Sequence, residues 1–208
     1  MIEDKIRWVE DVHKKLIQTI AGKKVLDIGA LGHRVECLND DCFIWKKFDV
    51  CDYYCIDINK DQIAAANNTY LKGQVSYGDA EDFDLGTKFD VIIATELIEH
   101  ISNIKGFLEC CEKHLKKEGA LIITTPNGSA LNRIGGRLHT AFGNDYVNPQ
   151  HKMWFCPITL KNLLQDYFDD ISILTYDALW FNKLTGWFLP KLGRSQIFCV
   201  VRNKKNDT

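Results

Sequence analysis

No apolar run in this 208-residue chain approaches the roughly 20 residues that a membrane-spanning helix needs, so a helical span is not expected. Charge of one sign is also missing. A net charge of -2 gives no general attraction to nucleic acid or to an anionic membrane surface. The first ten residues, Met1 to Glu10, are charged and amphipathic and lack the apolar centre of a secretory signal. Eight cysteines are present, at 37, 42, 51, 55, 110, 111, 156 and 199, but none is spaced as CxxC. They read as reduced thiols of a cytoplasmic protein, with zinc ligation as the alternative. Repeats and linker-like stretches are absent too. Residues 1–208 are therefore expected to form one domain, and 46% hydrophobic content supplies its core.

What is present is an alternation of strand and helix signals. Asp4 to Ile20 carries apolar residues at helical spacing and ends at Gly22, which predicts an N-terminal helix within 1–22. Strands are expected at 24–28, 53–57, 74–77, 89–94, 120–124, 171–176 and 196–202. Helices are expected at 60–67, 103–117 and 157–166. The run Phe89 to Ala94 is continuously apolar, as in a strand buried on both faces. Residues 127–150 are polar and glycine-rich and read as a lid or insertion, while 179–190 forms a long aromatic connection. The pattern predicts an α/β fold.

The first three strands each end on or near an acid: Asp27, Asp57 and Asp79. At one edge of a parallel sheet these would meet a nucleoside ligand in turn. A carboxylate after the second strand suits a ribose diol, because it accepts two O–H hydrogen bonds. An acid after the third strand, followed by a free N–H, can read an adenine edge. Asp27 would orient its loop or accept from an ammonium group. A dinucleotide would call for an uninterrupted G-x-G-x-x-G facing phosphate. Here the turn is Gly29-Ala30-Leu31-Gly32-His33, and the set of Asp27, Asp57 and Asp79 suits an adenosyl group carrying an amino acid better than one carrying a pyrophosphate.

The segments VLDIGALG (25–32), YYCIDIN (53–59), YGDAEDF (77–83), FDVIIATELIEHI (89–101) and LKKEGALIITTPN (115–127) resemble the class I S-adenosylmethionine-dependent methyltransferases. The resemblance implies a Rossmann-like, seven-stranded, mostly parallel sheet with an antiparallel last strand and helices on both faces. It also implies S-adenosyl-L-methionine as cofactor. Asp27, Gly29, Ala30 and Gly32 would lie at its methionine end, Asp57 and Ile58 at the ribose, Asp79 and Ala80 at the adenine, and Thr95 beneath the sulfonium. The departure is Leu31, which stands where the family has the middle glycine of its loop.

A second constellation follows the fourth strand. If the turn after it is helical, Glu96, Glu99 and His100 share a face and form half of a divalent-metal site. His151, in Asn148-Pro149-Gln150-His151, could fold back to complete it. This set resembles the plant small-RNA terminal 2′-O-methyltransferases and, more loosely, the O-methyltransferases of ubiquinone biosynthesis. The resemblance implies Glu96, Glu99, His100 and His151 as ligands to Mg or Mn. Without a metal, His151 or His100 would act in proton transfer, and a purely structural role for these polar groups is also open.

Hydroxyl chemistry leads to three acceptors: a sugar or glycan diol, a catechol-like small molecule, and a terminal RNA ribose. GALGH (29–33), Phe43-Ile44-Trp45 and NPQHKMWF (148–155) are similar to methyltransferases that accompany glycan synthesis, which places a sugar hydroxyl first. Nucleic acid is disfavoured because no basic stripe or RNA-binding motif is present. The aromatic 179–190 connection can be core or can dock another domain. A non-catalytic methyltransferase-like partner subunit is the reading of a different class.

Overall fold

The computed structural model describes residues 19–31, 52–69, 74–130, 148–176 and 196–204. Most of the expected N-terminal helix, Gly32 and His33, most of the 127–150 insertion and the 179–190 connection lie outside the described residues.

Seven strands form one sheet: β1 (Lys24–Ile28), β2 (Asp52–Asp57), β3 (Val75–Tyr77), β4 (Phe89–Thr95), β5 (Leu115–Pro126), β6 (Phe168–Tyr176) and β7 (Gln196–Lys204). Their order is β3-β2-β1-β4-β5-β7-β6. The pairs β1–β2, β1–β4, β2–β3 and β4–β5 are parallel. Only β7 runs antiparallel, against both β5 and β6. The expected mixed sheet with an antiparallel last strand is thus the observed one. Strand order turns back at β1 and β4, and the crevice outside their carboxyl ends is where such sheets receive ligands.

The period-two alternation of the strands sorts side chains onto two faces. Leu26, Ile28, Ile56, Ile92, Leu121 and Ile123 pack on one face, together with Phe107, Leu108 and Cys111 of α2 (Ile104–His114). Val25, Tyr53, Cys55, Val91, Ile93 and Ile122 pack on the other with Ile20 and Ala66. Ala66 belongs to α1 (Lys60–Thr69), whose first turn is capped by Asn59 Oδ1 accepting from the Gln62 N–H at 3.1 Å. A third helix, α3 (Pro157–Leu164), has proline in its first turn and buries Leu160 and Leu164.

The boundary between α2 and the fifth strand differs most from expectation. α2 stops at His114 rather than 117, and β5 begins at once with Leu115. Leu115 is buried and pairs with Phe89, whereas Lys116, Lys117 and Glu118 are exposed. Burying one leucine in strand register outweighs prolonging a helix through three solvated charges. His114 secures the end: its Nδ1–H donates to the Cys110 carbonyl at 2.8 Å, and its Nε2 accepts from the Leu85 N–H at 3.0 Å. Among the described residues no helix is long and apolar enough to cross a membrane.

Candidate functional site

At the carboxyl edge of β1 to β4 lies a cavity of about 860 Å³. Its walls include Asp27, Gly29, Ala30, Asp57, Ile58, Asp79, Ala80 and Thr95, so every described residue expected to hold cofactor meets there.

Asp27 sits next to last in β1, on the face shared with Tyr53 and Cys55, and only 2% of its surface is exposed. Its Oδ2 accepts from the Tyr53 hydroxyl at 2.9 Å. Its buried Oδ1 has no hydrogen-bond partner among the described residues. Burial pushes the carboxyl up to about 7; the Tyr53 bond works against that rise and the Asp57 charge adds to it.

Gly29 follows with φ +72°, a conformation few other residues adopt, and its N–H donates to the Ile56 carbonyl at 2.8 Å. A Cβ there would stand 2.9 Å from Leu97 Cδ1. Leu31, in the place of the family's glycine, is fully buried, and its N–H donates to Asp57 Oδ2 at 3.2 Å. Asp57 Oδ1 accepts from the Asn59 N–H at 2.8 Å. Each of those oxygens keeps a second lone pair for a ligand. Asp79 Oδ1 accepts from the Glu81 N–H at 2.9 Å, which folds the loop after β3 into a tight turn.

The second constellation is assembled differently from the helical face anticipated for it. A 3-10 turn covers only Ile98–His100. Glu96 stands before it at φ +50°, left-handed for a residue that is not glycine. Its N–H donates to the Thr124 carbonyl at 2.9 Å, and its Oε1 accepts from the Thr124 hydroxyl at 2.9 Å. The Gln196 amide nitrogen, turned toward its acceptors, donates to the same Oε1 at 3.2 Å. Glu96 lines the cavity but is bound to β5.

Glu99, His100 and His151 do come together: one ligand atom from each lies within 4.8 Å of the others. Glu99 is 2% exposed, and its Oε2 accepts from the Thr125 hydroxyl at 2.9 Å. His151 is carried by a segment whose Lys152 and Met153 N–H groups donate to the Glu99 carbonyl. His100 Nδ1 lies 3.0 Å from the Gln150 carbonyl. A carbonyl only accepts, so Nδ1 carries a proton in this contact. The two imidazoles meet edge to face at 4.8 Å, and the Trp154 ring lies 5.3 Å beyond His151.

A family model described as a methyltransferase domain matches residues 3–167. The chain belongs to the methyltransferase-domain family. Within curated proteins it is similar to the mitochondrial ubiquinone biosynthesis O-methyltransferase of Rattus norvegicus, 28% identical over 103 residues that cover 48% of this chain and 29% of that one. The aligned part spans less than a third of that relative's length. Among solved structures the fold is similar to a SAM dependent methyltransferase from Archaeoglobus fulgidus, with TM-score 0.65, 19% identity and coverage of 97% and 94% of the two chains. It is also similar to the small RNA methyltransferase HEN1, with TM-score 0.64 and 17% identity, over 97% of this chain and 25% of that one.

In this methyltransferase-family chain the partners Tyr53, Asn59, Glu81, Thr124, Thr125 and Gln196 went unseen in the sequence. Only the two threonines had a visible signal, since they are polar residues inside the final turns of a buried strand. Glu81 shows why such signals are thin. In the sequence it is one acid between Asp79 and Asp82, yet its carboxylate accepts from the Ser102 and Asn103 N–H groups at 2.6 and 3.0 Å and fixes the start of α2.

Proposed function

We propose that the chain is an S-adenosylmethionine-dependent methyltransferase that delivers the methyl group to an acceptor hydroxyl. The observation that carries this reading is the adjacency of two groups in one cavity. Asp27, Asp57 and Asp79 form a row suited to an amino-acid-bearing adenosyl ligand, and Glu99, His100 and His151 line the same cavity as Thr95. The orphaned Oδ1 of Asp27 suits the ligand's ammonium group.

The methyl donor already carries a good leaving group, so the protein's task is alignment and removal of the acceptor proton. Glu99, His100 and His151 fit a divalent cation in number, type and spacing, and Gln150 orients His100 as ligating histidines are usually oriented. Two imidazoles suit Mn2+ better than Mg2+. When bound, such an ion lowers the pKa of a ligated hydroxyl and can grip its neighbour. Glu96 is the least suited of the four expected ligands, because Thr124 already holds it. In a metal-free enzyme His151 takes the proton directly.

The acceptor class we favour has two neighbouring oxygens: a sugar diol, as the sequence pattern suggests, or the catechol-like ring favoured by the ubiquinone biosynthesis relative. Labelled methyl donor offered with glycosides, catechols and 3′-terminal RNA separates these acceptors, with transfer expected to a diol of the first two. Full activity in chelator, with no rescue by Mn2+, would discard the metal. Absence of S-adenosylhomocysteine binding in calorimetry would favour a non-catalytic subunit instead.

A further inference from the structure

We propose that Tyr53 is a positioning residue for the cofactor, acting through Asp27 to keep one carboxylate oxygen turned toward the ligand's ammonium group. The inference rests on the cofactor reading above. Tyr53 lies in β2 with 4% of its surface exposed, toward the opposite end of that strand from the cavity-lining Asp57. Its hydroxyl donates to Asp27 Oδ2 at 2.9 Å. That bond fixes the carboxylate plane and leaves Oδ1, buried and without a hydrogen-bond partner among the described residues, on the residue that lines the cavity.

The register makes the contact unavoidable. Val25 pairs with Tyr53 and Asp27 with Cys55 across β1 and β2, so odd-numbered residues of both strands share one face. Tyr53 is one pleat behind Asp27 on that face, and its ring length carries the hydroxyl forward to the carboxylate. On the β4 side Asp27 faces Ile93, an apolar neighbour. Among the described residues, the titratable groups that act on it are Tyr53, Cys55 and Asp57. Cys55 is neutral, its thiol pushed well above the ordinary range by burial and by the two aspartates. Asp57 opposes ionisation of Asp27, and among the described residues the Tyr53 hydroxyl is the group favouring it.

This arrangement has a signature that packing alone lacks. An ammonium ligand needs Asp27 ionised, and the Tyr53 bond is what makes ionisation accessible near neutral pH. Removing the hydroxyl raises the pH at which Asp27 becomes a carboxylate, so the loss of affinity must itself depend on pH.

The test is calorimetric binding of S-adenosylhomocysteine to wild type, Tyr53→Phe, Asp27→Asn and the double variant at pH 6 and pH 8.5. If the hydroxyl is worth one pKa unit to Asp27, Tyr53→Phe binds about tenfold more weakly at pH 6 and within about twofold at pH 8.5. In the Asp27→Asn background the same change has no further effect. An equal loss at both pH values, a full loss in the Asp27→Asn background, or no loss at all overturns the proposal. Failure of wild type to bind at either pH removes the cofactor reading, and this inference with it. Should Tyr53→Phe not fold, 19F NMR of 3-fluorotyrosine-labelled wild type serves instead. The Tyr53 resonance is expected to titrate near pH 7 in the free protein and to stop titrating when S-adenosylhomocysteine is bound. A resonance indifferent to both overturns the proposal.

Discussion

Glu96 and Thr124 grip each other twice. The Glu96 N–H donates to the Thr124 carbonyl at 2.9 Å, and the Thr124 hydroxyl donates to the Glu96 carboxylate at the same distance. This clasp joins the ends of β4 and β5 at the one described non-glycine residue with positive φ. Left-handed backbone costs an ordinary residue about 1–2 kcal/mol, and such residues persist where their surroundings over-determine them. The turn they allow sends the chain from β4 into Ile98–His100 and toward the cavity.

The clasp separates two contributions of Glu96. Glu96→Ala keeps the backbone cost and loses the carboxylate bonds, whereas Glu96→Gly loses both. The glycine variant should therefore be the more stable of the two, by about 1 kcal/mol in urea unfolding. An alanine variant at least as stable as the glycine one would show that the conformation at 96 carries no strain.

Thr125 does for Glu99 what Thr124 does for Glu96. The threonine is fully buried and its hydroxyl donates to a carboxylate that is itself buried. Thr125→Val preserves shape and removes that donor, which should cost about 1–3 kcal/mol. Thr125→Ser, keeping the hydroxyl, should cost less than Thr125→Val. Chemical denaturation of the two variants gives the comparison, and equal losses would mean that the methyl group matters more than the bond.

Gly29 offers a sharper steric test. Any side chain there must accept φ +72° and also meet Leu97 Cδ1 at 2.9 Å. Gly29→Ala should destabilise by about 2 kcal/mol, from the backbone term and the overlap together. Leu97→Ala added to it should recover the overlap but not the backbone cost. Thermal unfolding of the single and double variants reads this directly; no recovery would place the whole penalty in the backbone.

How far the sequence could be read depended on whether a feature is local. β4 was legible because a run of apolar residues has one use in a sheet covered on both faces. Asp27, Asp57 and Asp79 were legible because each ends or follows a strand whose edge the alternation already implied. The end of α2 was not, because it is decided by Leu115 meeting Phe89, 26 residues away. The position of Glu96 was missed for the same reason. Spacing of i, i+3 and i+4 assumes a helix from its first residue, while Thr124 draws Glu96 into a left-handed turn first. His151 was placed beside His100 by pattern, but the bonds that hold its segment there run from backbone N–H groups to the Glu99 carbonyl, and backbone groups leave no mark in a sequence.

Asp27 makes the free protein sensitive to pH. Burial, partly offset by Tyr53, lifts its carboxyl from an ordinary 3.8 to about 7. Between those values the folded chain holds a proton that the unfolded chain has released. The unfolded state then binds fewer protons, so stability falls as pH rises. The contribution is fully present below about pH 4 and is lost as pH passes through 7, at up to about 1.4 kcal/mol per pH unit between. Asp27→Asn, which cannot ionise, removes this slope and should be more stable than wild type at pH 8. Melting temperatures of the two ligand-free proteins between pH 5 and 8 measure it: the difference between them should widen with pH and level off above 7. A difference independent of pH would mean that Asp27 is ionised throughout the range, and that its burial is offset by a partner other than Tyr53.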